Sequence, residues 1–151
     1  IALEELDQAL AVLRDGGAER VTHTLADVPA LVASCGQPVD VRWAGPLDQV
    51  ASGPGRLGYR VVQEGLTNVA RHAPGARAAV SVEVEPPLLR VVVRNGPARG
   101  VAAARPGRRP AGGTGLLGLT ERVERLGGTL TADPTAEGGF LVHAELPTGR
   151  G

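Results

Sequence analysis

Lysine does not occur in this chain; all 16 basic residues are arginine. That absence excludes a Walker-type lysine on a phosphate loop, a Schiff-base lysine and a lysine general base. Methionine is missing too, so residue 1 is not an initiator, and the chain reads as a domain excised from something longer. One cysteine, Cys35, supports neither a disulfide framework nor a cysteine metal cluster. Aromatic residues amount to one Phe, one Tyr and one Trp, which leaves the core to Val, Leu and Ala. No apolar run approaches the ~20 residues needed to span a bilayer, and no stretch of the given sequence reads as a signal peptide. Acidic residues also number 16, for a net charge of zero, so nothing points to bulk nucleic-acid binding.

What is present suffices for one domain. The 151 residues are 42% hydrophobic, enough for a core. The 22 Gly and 12 Pro call for many turns or one long loop. Residues 2–14 place Leu3, Leu6, Leu10 and Leu13 at helical spacing and end at Gly16-Gly17. A short helix is expected over 25–33 and a strand over 38–44. Residues 78–85 and 88–94 alternate apolar and polar around Pro86-Pro87, the mark of a hairpin with one buried face. Residues 97–113 carry Pro, Gly, Ala and four Arg (Arg99, Arg105, Arg108, Arg109) with little periodicity; a connection this long is a lid or is disordered. A helix over 116–126 and strands over 129–132 and 139–146 follow. This order predicts a mixed sheet covered by helices on one face.

The chain is organised around a helix expected from about Arg56 to Ala73. Arg60, Gln63, Glu64, Thr67, Asn68, Arg71 and His72 fall on one half of its wheel, and Val62, Leu66, Val69 and Ala73 on the other. Glu64, Asn68, Arg71 and His72 sit at i, i+4, i+7 and i+8 and form one stripe. An acid, an amide, a guanidinium and an imidazole so arranged can hold a metal ion and phosphates. The plainer alternative is a solvated helix face. Further on, Gly113, Gly115 and Gly118 precede or open a helix, where backbone N–H groups can approach an anion.

Residues 60–73 (RVVQEGLTNVARHA) resemble the N box of sensor histidine kinases of the nitrate-sensor/desaturase-sensor type. Residues 113–123 (GTGLLGLTERV) are similar to the second glycine box of that family, and the tail from Leu126 through Phe140 to Pro147 also fits. The resemblance covers about residues 25–147. It implies the GHKL ATPase superfamily and its two-layer α/β sandwich, the Bergerat fold, with a long ATP lid at about 97–112. Residues 1–15 would be the end of the second dimerisation helix and 16–151 the ATP-binding catalytic domain.

Carried over residue by residue, the resemblance implies that Asn68 ligates Mg²⁺, which prefers oxygen ligands and shares them with substrate phosphates. Glu64 would orient a metal-bound water or assist the nucleophile. Arg71 and His72 would face the phosphates, His72 having a plainer alternative as a helix-end cap. Gly113, Gly115 and Gly118 would line the triphosphate through backbone amides, with Thr114 as a hydroxyl donor. Leu116 belongs to the same nucleotide-binding stretch, although its side chain, like that of Leu119, reads as a packing group. The first glycine box departs from the family: Arg94-Asn95-Gly96-Pro97 stands where Asp-x-Gly-x-Gly is usual. Asn95 aligns with the adenine-binding Asp, with Gly96 following; a shift by one, placing Arg94 there, stays open. A neutral Asn can still accept from the adenine amino group, but more weakly than Asp.

The implied activity is transfer of the γ-phosphoryl group of Mg-ATP to a histidine on a dimerisation domain that this chain lacks, with a response regulator as the indirect partner. His23 and His143 lack the context of that acceptor. The parent would be a homodimer and this its cytoplasmic domain, whether or not a membrane anchors it. Two rival readings are another GHKL protein, such as an anti-sigma-factor serine kinase, and a degenerate docking module without catalysis.

Overall fold

The computed structural model describes residues 22–98 and 113–149. A 3₁₀ turn, Leu25–Asp27, leads into helix α1 (Val28–Ser34), strand β1 (Val39–Ala44), a second 3₁₀ turn (Leu47–Gln49) and helix α2 (Ser52–His72). Strands β2 (Ala78–Glu85) and β3 (Leu88–Asn95), helix α3 (Gly113–Arg125) and strands β4 (Thr129–Pro134) and β5 (Phe140–Pro147) complete it. The sheet order is β1-β2-β3-β5-β4. β1 runs parallel to β2 and the other pairs are antiparallel, so the sheet is mixed, as expected.

The hairpin expected from period-2 alternation is there. Val80, Val82 and Val84 of β2 lie opposite Val93, Val91 and Leu89 of β3, all buried on one face. Its turn holds a cis Pro86-Pro87 peptide. α2 lies along this face. A Cβ added to Gly65 would stand 2.9 Å from the Cβ of Val93, so the absence of a side chain lets the helix backbone rest on β3. Val61, Val62, Leu66 and Val69 of α2 fill the interface with Leu25, Val28 and Val123. The core is thus almost wholly aliphatic, as the shortage of aromatics required, with Tyr59 as its one buried aromatic among the described residues.

α2 runs along β3 in the same direction. At its start, Ala51 N donates to Thr148 O at 2.8 Å, and Thr148 N donates to Pro87 O at 2.8 Å, beside the beginning of β3. About two thirds of the way along the helix, Gly65 is over Val93. The end of α2 therefore reaches the sheet end where β3 finishes at Asn95.

The other sheet face carries exposed charge. Arg90 reaches Glu83 at 3.3 Å and Glu145 at 3.6 Å, and Arg94 reaches Glu137 at 3.3 Å. Among the described residues no helix is long and apolar enough to cross a membrane.

Several boundaries differ from the sequence expectation. α2 begins at Ser52 rather than Arg56; Pro54 lies in its first turn, a position where proline's missing N–H costs nothing. The stretch 25–33 divides in two: Thr24 N donates to Asp27 Oδ2 at 2.8 Å and Ala26 N to Thr24 Oγ1 at 3.3 Å, a capping box that closes one 3₁₀ turn before α1 starts. α3 begins at Gly113, not Leu116, so the glycines of 113–118 lie inside the helix rather than ahead of it. Glycine is a poor helix former, which is why periodicity alone started that helix late. Residues 1–15 and the lid from 99 to 112 lie outside the described residues.

Candidate functional site

Three segments meet at one end of the sheet: the second half of α2, the end of β3 and the first turns of α3. Asn68 is the most unusual residue among them. It was placed on the polar half of the helix wheel, yet it is only 6% exposed, so that half is not uniformly solvated. Its Nδ2 has no hydrogen-bond partner among the described residues. Buried amides without partners are uncommon and cost about 1–3 kcal/mol. A half-turn of the amide would put its oxygen in the same place.

One turn earlier on α2, Glu64 is half-buried. Its carboxylate lies against the backbone of Gly115 in α3, where an added Cβ would overlap Glu64 Oε1. This contact joins the two sequence motifs, which are some fifty residues apart in the chain. Thr67, on the same helix face, is occupied locally: its hydroxyl donates to Gln63 O at 2.8 Å.

Arg71 and His72 occupy the last turn of α2, Arg71 exposed and His72 half-buried. Both are well placed at the negative end of the helix dipole. Neither is tied by a hydrogen bond or ion pair to another described residue.

Asn95 ends β3 on the helix-covered face, 9% exposed, and its Nδ2 donates to Gly96 O at 2.8 Å. Gly96 N donates to Arg77 O at 3.0 Å, which holds the turn after the strand. Arg94, the alternative at the adenine position, points to the opposite face and pairs with Glu137. Strand alternation puts Asn95, not Arg94, on the side of Asn68 and Glu64.

Gly113 and Thr114 begin α3. Leu116 and Leu119 are buried in the core, which agrees with their reading as packing groups, and Gly118 is exposed. Among the described residues no three His, Cys, Asp or Glu side chains gather into a metal cage.

Sequence reasoning missed a cluster at the start of the described chain. The rings of His23 and Tyr59 stack with centroids 4.8 Å apart, and His23 Nδ1 lies 3.7 Å from Asp27 Oδ2. Burial raises the Tyr59 pKa, the Asp27 carboxylate raises it further, and Arg60 opposes both. The Thr24-x-x-Asp27 pattern was the available signal.

No protein-family model matches the chain. It is 33% identical over 90 residues, 59% of its length, to the sensor histidine kinase YxjM of Bacillus subtilis. It spans 20% of the length of that relative. Among solved structures, the catalytic domain of the histidine kinase ThkA superposes with a TM-score of 0.52 at 16% identity, over 98% of this chain and 94% of that one. Over these residues the chain is similar to sensor histidine kinases, and its fold is that of histidine kinase catalytic domains. The full-length histidine kinase ShkA, solved in complex with AMPPNP, superposes with a TM-score of 0.58 at 16% identity, over 82% of this chain and 29% of that one. These findings match the histidine kinase reading rather than that of an anti-sigma-factor serine kinase. The stretch that resembles an N box lies in the second half of α2, and the one that resembles a second glycine box lies in α3.

Proposed function

We propose that this chain binds Mg-ATP between the second half of α2, the end of β3 and the first turns of α3, and presents its γ-phosphoryl group to a histidine of a dimerisation domain in the parent kinase. A response regulator would then receive the group. The observation that carries the reading is the Asn68 amide, buried and unpartnered beside Glu64, at the sheet end where Asn95 and the glycines of α3 also arrive. The AMPPNP held by ShkA supports the same use of the fold here.

The residues present fit a Mg²⁺ ion shared with phosphates. Asn68 offers an amide oxygen, and Glu64 stands one turn away to accept from a bound water. When bound, the ion would offset the phosphate charge. The chain itself does the positioning. Arg71 brings positive charge toward the phosphate side, with a fork suited to two oxygens, and His72 adds a ring N–H donor. The glycine-rich start of α3 would let phosphates approach its backbone N–H groups, with Thr114 as the hydroxyl donor that the sequence suggests. Asn95 uses its NH₂ on Gly96 O, leaving its oxygen to accept from the adenine amino group. Most of the work is orientation and electrostatics, because phosphoryl transfer needs little covalent chemistry from the protein.

The test is calorimetric titration of the wild-type chain and Asn68→Ala with ATP, with and without Mg²⁺. Asn68→Ala should abolish Mg-dependent binding while circular dichroism shows the fold intact. Undiminished binding in that variant would overturn the role of Asn68. A wild-type chain that binds no ATP would point instead to a docking module.

A further inference from the structure

The Glu64 carboxylate fills the space that a side chain at position 115 would take. A Cβ there would overlap Oε1 and lie 2.7 Å from Cδ of Glu64. Gly118, further along α3, is different: nothing lies within 4 Å of a Cβ built on it. Of these two glycines, only Gly115 is required for room, and what it makes room for is an acid from another helix. Glu64 has no hydrogen bond or ion pair with any described residue to hold it elsewhere. Its charge lies at the start of a helix, where negative charge is favoured.

We propose that Gly115 is a positioning residue, whose missing side chain seats the Glu64 carboxylate against the first turns of α3. This rests on the nucleotide-binding reading above and sharpens it: Gly115 serves the acid as well as the phosphates' approach. The obstacle to a larger residue is the far end of a flexible side chain, not backbone. Alanine also forms helix better than glycine. Gly115→Ala should therefore leave the fold intact and displace only the acid.

The experiment uses the 151-residue chain as wild type, Gly115→Ala, Glu64→Ala and the double variant. Each is followed by thermal unfolding, by ATP titration with Mg²⁺ and with EDTA, and by ¹³C NMR of the Glu64 carboxyl without nucleotide. Gly115→Ala should unfold at the same or a higher temperature and shift the Glu64 carboxyl resonance. It should lose Mg-dependent ATP affinity by roughly three- to tenfold, as coupled neighbours do. In the Glu64→Ala background the further loss should be clearly smaller than in the wild type. An equal loss in both backgrounds would overturn the proposal and leave Gly115 a role in phosphate approach alone. So would an unmoved carboxyl resonance, or unfolding of Gly115→Ala, which would mean that backbone had to give way. A wild-type chain that binds no ATP would remove the nucleotide-binding reading, and the resonance shift would still decide whether Gly115 seats Glu64.

Discussion

At the scale of single residues, Asn68 shows a conflict between stability and use. Its buried Nδ2 lacks a partner among the described residues, a defect worth about 1–3 kcal/mol. Replacing it with Leu, which has a similar shape and no polar atoms, should raise nucleotide-free stability by about 1 kcal/mol in a denaturant titration. The same variant should lose Mg-dependent ATP binding, so a gain in stability would accompany a loss of function. Tyr59 gives a pH dependence. Its folded pKa lies above the ordinary 10.0, first through burial and then through Asp27. The unfolded chain therefore loses the phenolic proton first, and binds fewer protons than the folded chain as pH rises past 10. Stability should fall across that range. Tyr59→Phe should remove this part of the decline in thermal midpoints measured from pH 8 to 11.

At the scale of elements, Gly65 fixes how close α2 lies to β3. Gly65→Ala gains helix propensity of about 1 kcal/mol but drives a methyl against Val93, and overpacking of this kind costs about 1–3 kcal/mol. The midpoint should fall, and Val93→Ala in the same chain should restore part of the loss; two independent, additive losses would contradict the contact. The elements themselves were largely legible. β2 was bounded from its alternation to the residue, because one face is buried against helices and the other meets water. The helix starts were not, because Gly113, Gly115 and Pro54 weaken the periodic signal where α3 and α2 begin. The site's residue types were legible as a stripe on α2 and a glycine-rich stretch. The burial of Asn68 and the Glu64–Gly115 contact were not, since a helical wheel says which way a residue points but not which other helix packs there.

At the scale of the whole molecule, stability rests on an aliphatic core against one face of the sheet. Leu89 and Leu146 are fully buried on neighbouring strands, and Leu89→Ala should cost about 2–5 kcal/mol by chemical denaturation. The exposed charges on the other face count for much less, and Arg90→Ala should cost no more than about 1 kcal/mol despite its two ion pairs. The bond from Ala51 to Thr148 also orders events in time. α2 has no side-chain cap at its start; that end is tied to a carbonyl that follows the last strand. During synthesis the ribosome releases α2 well before β5 exists, so the helix carrying Glu64 and Asn68 must wait, with its first turn loose, until the final strand emerges to anchor it.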